Sequence, residues 1–289
     1  MIELAPNHKS GLPVANPILL AGGVIGYGEA RHNALATESL GAVVVGPILW
    51  QSRGGTGGPR LAELNGGFVL ESGLQNRGLN AVLRHFAALW PRLGCPVIAQ
   101  LADAQPELLG KVAGRLASVA GLSGLELLIP RQANAELVQR LVQAAIRVND
   151  LPVWVKLPLE QSPALAPIAV AAGAVGVVVG QPPIGAGFSR TAFHEGKLVT
   201  GPVYGPLAFA PMLAALAGVA QLQLSCALIA CGGIYCAEQV RQALALGAHA
   251  VQIDAAVWVE PGLPARLAET AECARPRANR SHVGVRTPQ

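Results

Sequence analysis

Gly124 Leu125 Glu126 Leu127 Leu128, then Ala135 through Val148, then Val153 Trp154 Val155 Lys156 Leu157, make the pattern that decides the fold. Two short aliphatic runs flank a stretch whose apolar residues recur every three or four positions, so the segment predicts strand, amphipathic helix and parallel strand. Working outward, the same alternation recurs. Candidate strands are Pro17–Leu20, Ala42–Val45, Val97–Gln100, Gly124–Leu128, Val153–Leu157, Val175–Val179, Ala227–Ala230 and Ala250–Ile253. Most are continuously apolar, as strands buried on both faces must be. Helical stretches such as Leu79–Trp90, Leu108–Val119 and Ala237–Leu246 separate them. Eight such units predict a single-domain α/β fold, the (β/α)8 TIM barrel, over residues 1–273. A doubly wound open sheet also alternates strand and helix, but Gly22 Gly23 Val24 Ile25 Gly26 Tyr27 Gly28 after the first strand lacks the G-x-G-x-x-G spacing that sheet requires.

Composition narrows the function classes. Of 289 residues 52% are hydrophobic and 13% charged; the 34 glycines have no three-residue period, which excludes collagen, coiled coil and disorder. A net charge of +4 without a block of basic residues leaves no electrostatic footprint for nucleic acid. The longest apolar stretch, Ala164–Gly180, is interrupted by Pro167 and too short to predict a membrane span. Met1 to Pro6 does not read as a secretory signal, so a cytoplasmic location is expected. Five cysteines form no CxxC pair, and no cluster with metal-ligand spacing occurs, so neither a disulfide framework nor a metal site is expected. Residues 274–289, with four arginines and little apolar material, predict a basic, flexible C-terminal tail.

Two long insertions, Leu49–Gly78 and Gln181–Pro206, follow the second and sixth strands, on the face where barrel enzymes keep their chemistry. Lys156, one of four lysines, sits inside an apolar strand. A buried ammonium needs an anion or dipole, and Glu126 on the neighbouring strand is the nearest candidate within the sequence.

Several segments, in order, resemble the class 1 dihydroorotate dehydrogenase family, the FMN barrels of pyrimidine biosynthesis. They are Asn16 Pro17 Ile18 Leu19 Leu20 Ala21 Gly22 Gly23, Pro59 Arg60 Leu61 Ala62 Glu63, Ser72 Gly73 Leu74 Gln75 Asn76 Arg77 Gly78, Val155 Lys156 Leu157, Thr200 Gly201 Pro202 and Cys231 Gly232 Gly233 Ile234. The resemblance implies an oxidoreductase acting on a CH–CH group, with FMN over the C-terminal mouth of the barrel. Ala21, Gly22, Gln100, Lys156, Gly201, Gly232 and Gly233 would contact the cofactor, and the phosphate would rest on backbone N–H groups after the seventh and eighth strands. Gly232 and Gly233 serve equally as a tight strand-to-helix turn. A homodimer is compatible with the resemblance.

The chain departs from the family at the chemistry. The family's lysine after the second strand is absent from Val43 Val44 Val45 Gly46 Pro47, and its cysteine or serine base after the fourth strand is replaced within Ile129 Pro130 Arg131 Gln132. An arginine cannot take a proton from dihydroorotate at neutral pH. Gln181 Pro182 stands for an Asn-Thr pair, Leu70 Glu71 Ser72 for a substrate-holding asparagine, and Asp254 Ala255 for a Gly-Thr phosphate contact. Asp254 either faces the phosphate, where it repels, or points into the barrel or caps the next helix; the sequence leaves both open. Glu71 and Arg131 are the remaining candidates for altered catalysis, Arg131 suiting an anionic small-molecule ligand, with Tyr27, Tyr204 and His194 in loops on the same face. Two readings result: a divergent flavoprotein with FMN-dependent redox chemistry on a substrate other than dihydroorotate, or an FMN-free barrel acting as a binding or scaffolding subunit. A genuine dihydroorotate dehydrogenase would need a base not recognised above.

Overall fold

A computed structural model describes residues 1–29 and 35–273. The strands are β1 (Ile2–Glu3), β2 (Pro13–Val14), β3 (Ile18–Leu20), β4 (Ala42–Ile48), β5 (Leu61–Leu64), β6 (Gly67–Leu70), β7 (Val97–Leu101), β8 (Leu122–Leu128), β9 (Val153–Pro158), β10 (Gly176–Gln181), β11 (Ile184–Phe188), β12 (Leu198–Tyr204), β13 (Ala227–Cys231) and β14 (Ala250–Ile253). The helices are α1 (Leu79–His85), α2 (Pro106–Leu116), α3 (Ala135–Ile146), α4 (Ser162–Ala171), α5 (Phe209–Ala220), α6 (Ala237–Ala245), α7 (Ala256–Val259) and α8 (Leu263–Cys273).

Eight parallel strands close in the order β10, β13, β14, β3, β4, β7, β8, β9. All eight expected barrel strands are present, each within a few residues of its predicted bounds. Between β3 and β4 the described residues form only a 3-10 turn at Thr37–Ser39, so an α-helix for the first unit is not found among them. The 274–289 tail lies outside the described residues. Among the described residues, no helix is long and apolar enough to cross a membrane, and no group of three or more His, Cys, Asp or Glu could hold a metal ion.

Helices coat the barrel through stripes at three- and four-residue spacing. In α3 the stripe is Val138, Leu141, Val142 and Ala145, and the Asn134 side chain caps the helix by accepting from Leu137 N at 2.9 Å. Inside the barrel, Leu19, Val44, Ile98, Val178 and Ile229 pack together with Trp154 below them. Trp154 has room because two neighbours are glycines: a Cβ on Gly124 would lie 2.3 Å, and one on Gly176 2.5 Å, from its ring atoms. Its indole N–H donates to Leu4 O at 2.9 Å. Leu4, Ala5, Leu12 and Val14, carried by the antiparallel hairpin β1–β2, belong to the same buried cluster and seal the N-terminal end of the barrel.

The two long insertions meet at the opposite end. There β11, β12, β6 and β5 form a four-stranded antiparallel sheet, with Val203 paired to Val69 and Tyr204 to Phe68. Its own small core is Ala62, Val69, Val199 and Val203.

Candidate functional site

Beneath the C-terminal mouth the barrel interior is polar. Residues at alternate positions of each strand face inward, which places Gln100, Glu126, Lys156, Cys231 and Gln252 in one buried layer. Glu126 accepts from Gln100 Nε2 at 2.7 Å through one oxygen and from Gln252 Nε2 at 2.6 Å through the other. Lys156 Nζ donates to Gln252 Oε1 at 2.8 Å and to Cys231 Sγ at 3.3 Å, and lies 4.0 Å from Glu126 Oε1. Burial pulls the Lys156 pKa down, but Cys231, Glu126 and Asp254 together outweigh it and hold the group above its ordinary value. Burial pushes the Cys231 thiol up to about 12 against the opposing lysine. At neutral pH the layer therefore holds an ammonium, a neutral thiol and the Glu126 side chain, knitted by two amides. The Lys156–Glu126 salt bridge, one of the partnerships the sequence leaves open, is present. Gln252 and Cys231 complete it, and neither was singled out from the sequence as a partner of Lys156, although a lone glutamine in the apolar run Ala250–Ile253 carries the same signal as the lysine.

The other candidates make contacts of their own within the fold. Gln100 lies against Gly22, where a Cβ would come within 2.6 Å of its amide nitrogen, and Ala21 N is held by Ile253 O at 3.0 Å. Gln181 ties three strand ends together, donating to Ile129 O at 2.7 Å and to Lys156 O at 2.8 Å. Arg131 donates to Pro182 O and stands 3.6 Å from Glu160 Oε1, while its Nη1 makes no hydrogen bond. Glu71 accepts from Gly73 N at 2.7 Å and stiffens its own loop. Tyr27 packs on Phe86 and accepts from Arg77 N at 3.1 Å, and His194 sits in a turn of the insertion, its amide bonded to Thr191 O.

Gly201 does not sit in a strand-to-helix turn. Gly201 lies within β12, paired with Gly185, and a Cβ there would be 2.9 Å from Glu71 Cβ. Gly205, with φ of 106°, makes the turn instead. Gly232 and Gly233 form the turn after β13 with φ of 125° and 68°. A Cβ on Gly233 would lie 2.3 Å from Phe209 N, so this turn is pressed against the start of α5.

Asp254, directly after β14, is 6% exposed, and neither carboxylate oxygen has a hydrogen-bond partner. The amides of Gly233, Asp254 and Ala255 face it closely enough to favour its charge, as does Lys156, yet burial dominates and raises its pKa above 3.8. Tyr204 is stacked on Phe68 at 5.6 Å and lies 6.3 Å from Trp258. Burial first, then the Asp254 charge, raises the Tyr204 hydroxyl to about 12, and the same pair of causes raises Tyr235 to about 12. A carboxylate whose folded pKa exceeds its unfolded value of 3.8 binds its proton more tightly in the native state. Its contribution to stability is present in acid and is lost as pH rises through the folded pKa, at about 1.4 kcal/mol for each pH unit between the two values. Asp254→Asn is expected to abolish this part of the pH dependence and to raise the urea midpoint at neutral pH. A midpoint lowered at neutral pH would show the carboxylate to be stabilising there.

The chain matches the model of the family described as dihydroorotate dehydrogenase over residues 7–270. It is similar to the catalytic subunit of dihydroorotate dehydrogenase B (NAD(+)) from Solidesulfovibrio magneticus, 32% identical over 279 residues that cover 90% of this chain and 89% of the relative. It is similar also to dihydroorotate dehydrogenase A (fumarate) from Limosilactobacillus reuteri, 30% identical over 270 residues covering 87% and 86%. With a closed barrel of eight parallel strands and a family match across nearly its whole length, the chain belongs to the dihydroorotate dehydrogenase family.

Proposed function

We propose that this chain is a family barrel that no longer oxidises dihydroorotate and holds no FMN, serving instead as a small-molecule binding or scaffolding subunit. The observation that carries the reading is Asp254. The family resemblance puts the FMN phosphate on backbone amides after β13 and β14, and here a buried carboxylate faces the amides of Gly233 and Ala255. The residues present do not fit that group. A phosphate dianion beside a buried carboxylate needs a cation between them, and the nearest ammonium, Lys156, is engaged with Gln252 and Cys231. The reacting side points the same way. Arg131 stands where the family has its base, and its guanidinium is bound to the Pro182 carbonyl; it cannot accept a proton near neutrality.

A second reading, a flavin enzyme acting on another small molecule, is favoured by one observation. Lys156 remains a buried ammonium under the mouth, with two of its three N–H groups in hydrogen bonds. The visible absorption spectrum of the purified protein, taken as isolated and again after incubation with excess FMN and desalting, separates the two. The expected result is a colourless protein in both states, with no dihydroorotate oxidation above background when an artificial electron acceptor is supplied. Flavin bands surviving desalting would establish the second reading and overturn the first.

A further inference from the structure

Asp254 raises a question that its neighbours answer. Its two carboxylate oxygens are enclosed, without water access and without a hydrogen-bond partner, in a place where three backbone amides, those of Gly233, Asp254 and Ala255, converge. Buried polar atoms are nearly always paired, so an unpaired one marks a site with a purpose or a missing occupant. The turn that presents the Gly233 amide is fixed, because α5 begins against it and leaves no room for a side chain. The Tyr204 and Tyr235 hydroxyls both sense its charge. Converging amides in a glycine turn form a concavity suited to an anion, and here a carboxyl group is already tethered within it.

We infer that Asp254 is the built-in occupant of the backbone anion cradle between the ends of β13 and β14, so that the mouth of this barrel accepts ligands without a phosphate and rejects their phosphorylated forms. The inference rests on the proposed loss of FMN and extends it to the class of ligand the site selects. The physical basis is occupancy together with repulsion: the enclosed side chain takes the space a phosphate would need, and in its ionised form it adds the repulsion of two like charges shielded from water. Exclusion by repulsion is a recognised means of specificity. Substituting Asp254 by glycine removes both the charge and its tether while keeping the amides, and converts an occupied cradle into an open one.

The test uses riboflavin and FMN, which differ only by the phosphate, together with inorganic phosphate, on the full chain and on Asp254→Gly and Asp254→Asn. Binding is read by quenching of flavin fluorescence and by the shift of the melting temperature. Far-ultraviolet circular dichroism establishes that each variant is folded, and Asp254→Asn, which keeps the side-chain volume, serves if the glycine variant is not. The unsubstituted protein is expected to bind FMN no more tightly than riboflavin and to show no stabilisation by phosphate. Asp254→Gly is expected to gain phosphate-dependent stabilisation and to favour FMN over riboflavin at least tenfold, about the scale of one removed charge, with Asp254→Asn between the two. A folded Asp254→Gly that ignores phosphate, or an unsubstituted protein that prefers FMN to riboflavin, overturns the inference. The outcomes separate it from the reading beneath it: a flavin-free protein with an unresponsive glycine variant removes only the inference. A protein isolated with flavin but indifferent to its phosphate removes only the FMN-free reading.

Discussion

Lys156→Met is expected to destabilise the fold by about 3–5 kcal/mol, the usual cost of stranding one member of a buried charge pair. The substitution keeps the length of the side chain, so little is lost in packing. What changes is that Glu126, 1% exposed, keeps its two amide donors but loses the Lys156 ammonium 4.0 Å away, while Gln252 Oε1 loses its donor. The measurement is the urea midpoint by circular dichroism. Adding Glu126→Gln to Lys156→Met is expected to recover much of the loss, because the pair is then removed rather than halved. A single substitution that leaves the midpoint within about 0.5 kcal/mol of the starting protein would show that the layer is not held together by charge.

Trp154→Ala is expected to cost about 3–5 kcal/mol through a cavity that the surroundings cannot fill. Trp154 is 1% exposed and lies between Gly124 and Gly176, neither of which has a side chain to move into the space. The loss also frees Leu4 O, which accepts the indole N–H, and so loosens the hairpin that closes the bottom of the barrel. Denaturation by urea gives the total cost. Faster hydrogen exchange at Leu4, whose amide is bonded to Leu12 O, would report the loosening separately. Unchanged exchange there would mean that the hairpin is held by its own apolar contacts.

These two residues mark how far the sequence could be read. The barrel strands were legible because burial on both faces leaves a run of aliphatic residues with no polar interruption, and Lys156 and Glu126 stood out as interruptions on adjacent strands. The second antiparallel sheet was not legible. Its strands are short and half exposed; β5–β6, across Asn65 Gly66, and β11–β12 are local hairpins, but the pairing of β6 with β12 that joins them into one sheet spans far-apart segments and leaves no local signal. The β1–β2 hairpin has only two residues per strand and escaped for the same reason. At the site, residue types were legible but directions were not. How tightly the turn after β13 is pressed against α5, where a Cβ on Gly233 would lie 2.3 Å from Phe209 N, was not legible either. That contact joins elements with no shared pattern in the sequence.

The sheet over the mouth has a consequence for the order in which the molecule is built. Its central pairing joins Val69 to Val203, contributed by insertions that leave the barrel after β4 and after β10. Closing so long a loop is entropically costly and is repaid only when the intervening units are already in place. The ligand-facing end is thus completed after the cylinder it covers. Because Tyr204 comes from that late-forming arch while Asp254 directly follows the last barrel strand, the electrostatic influence of one on the other arises only once both halves of the chain have converged.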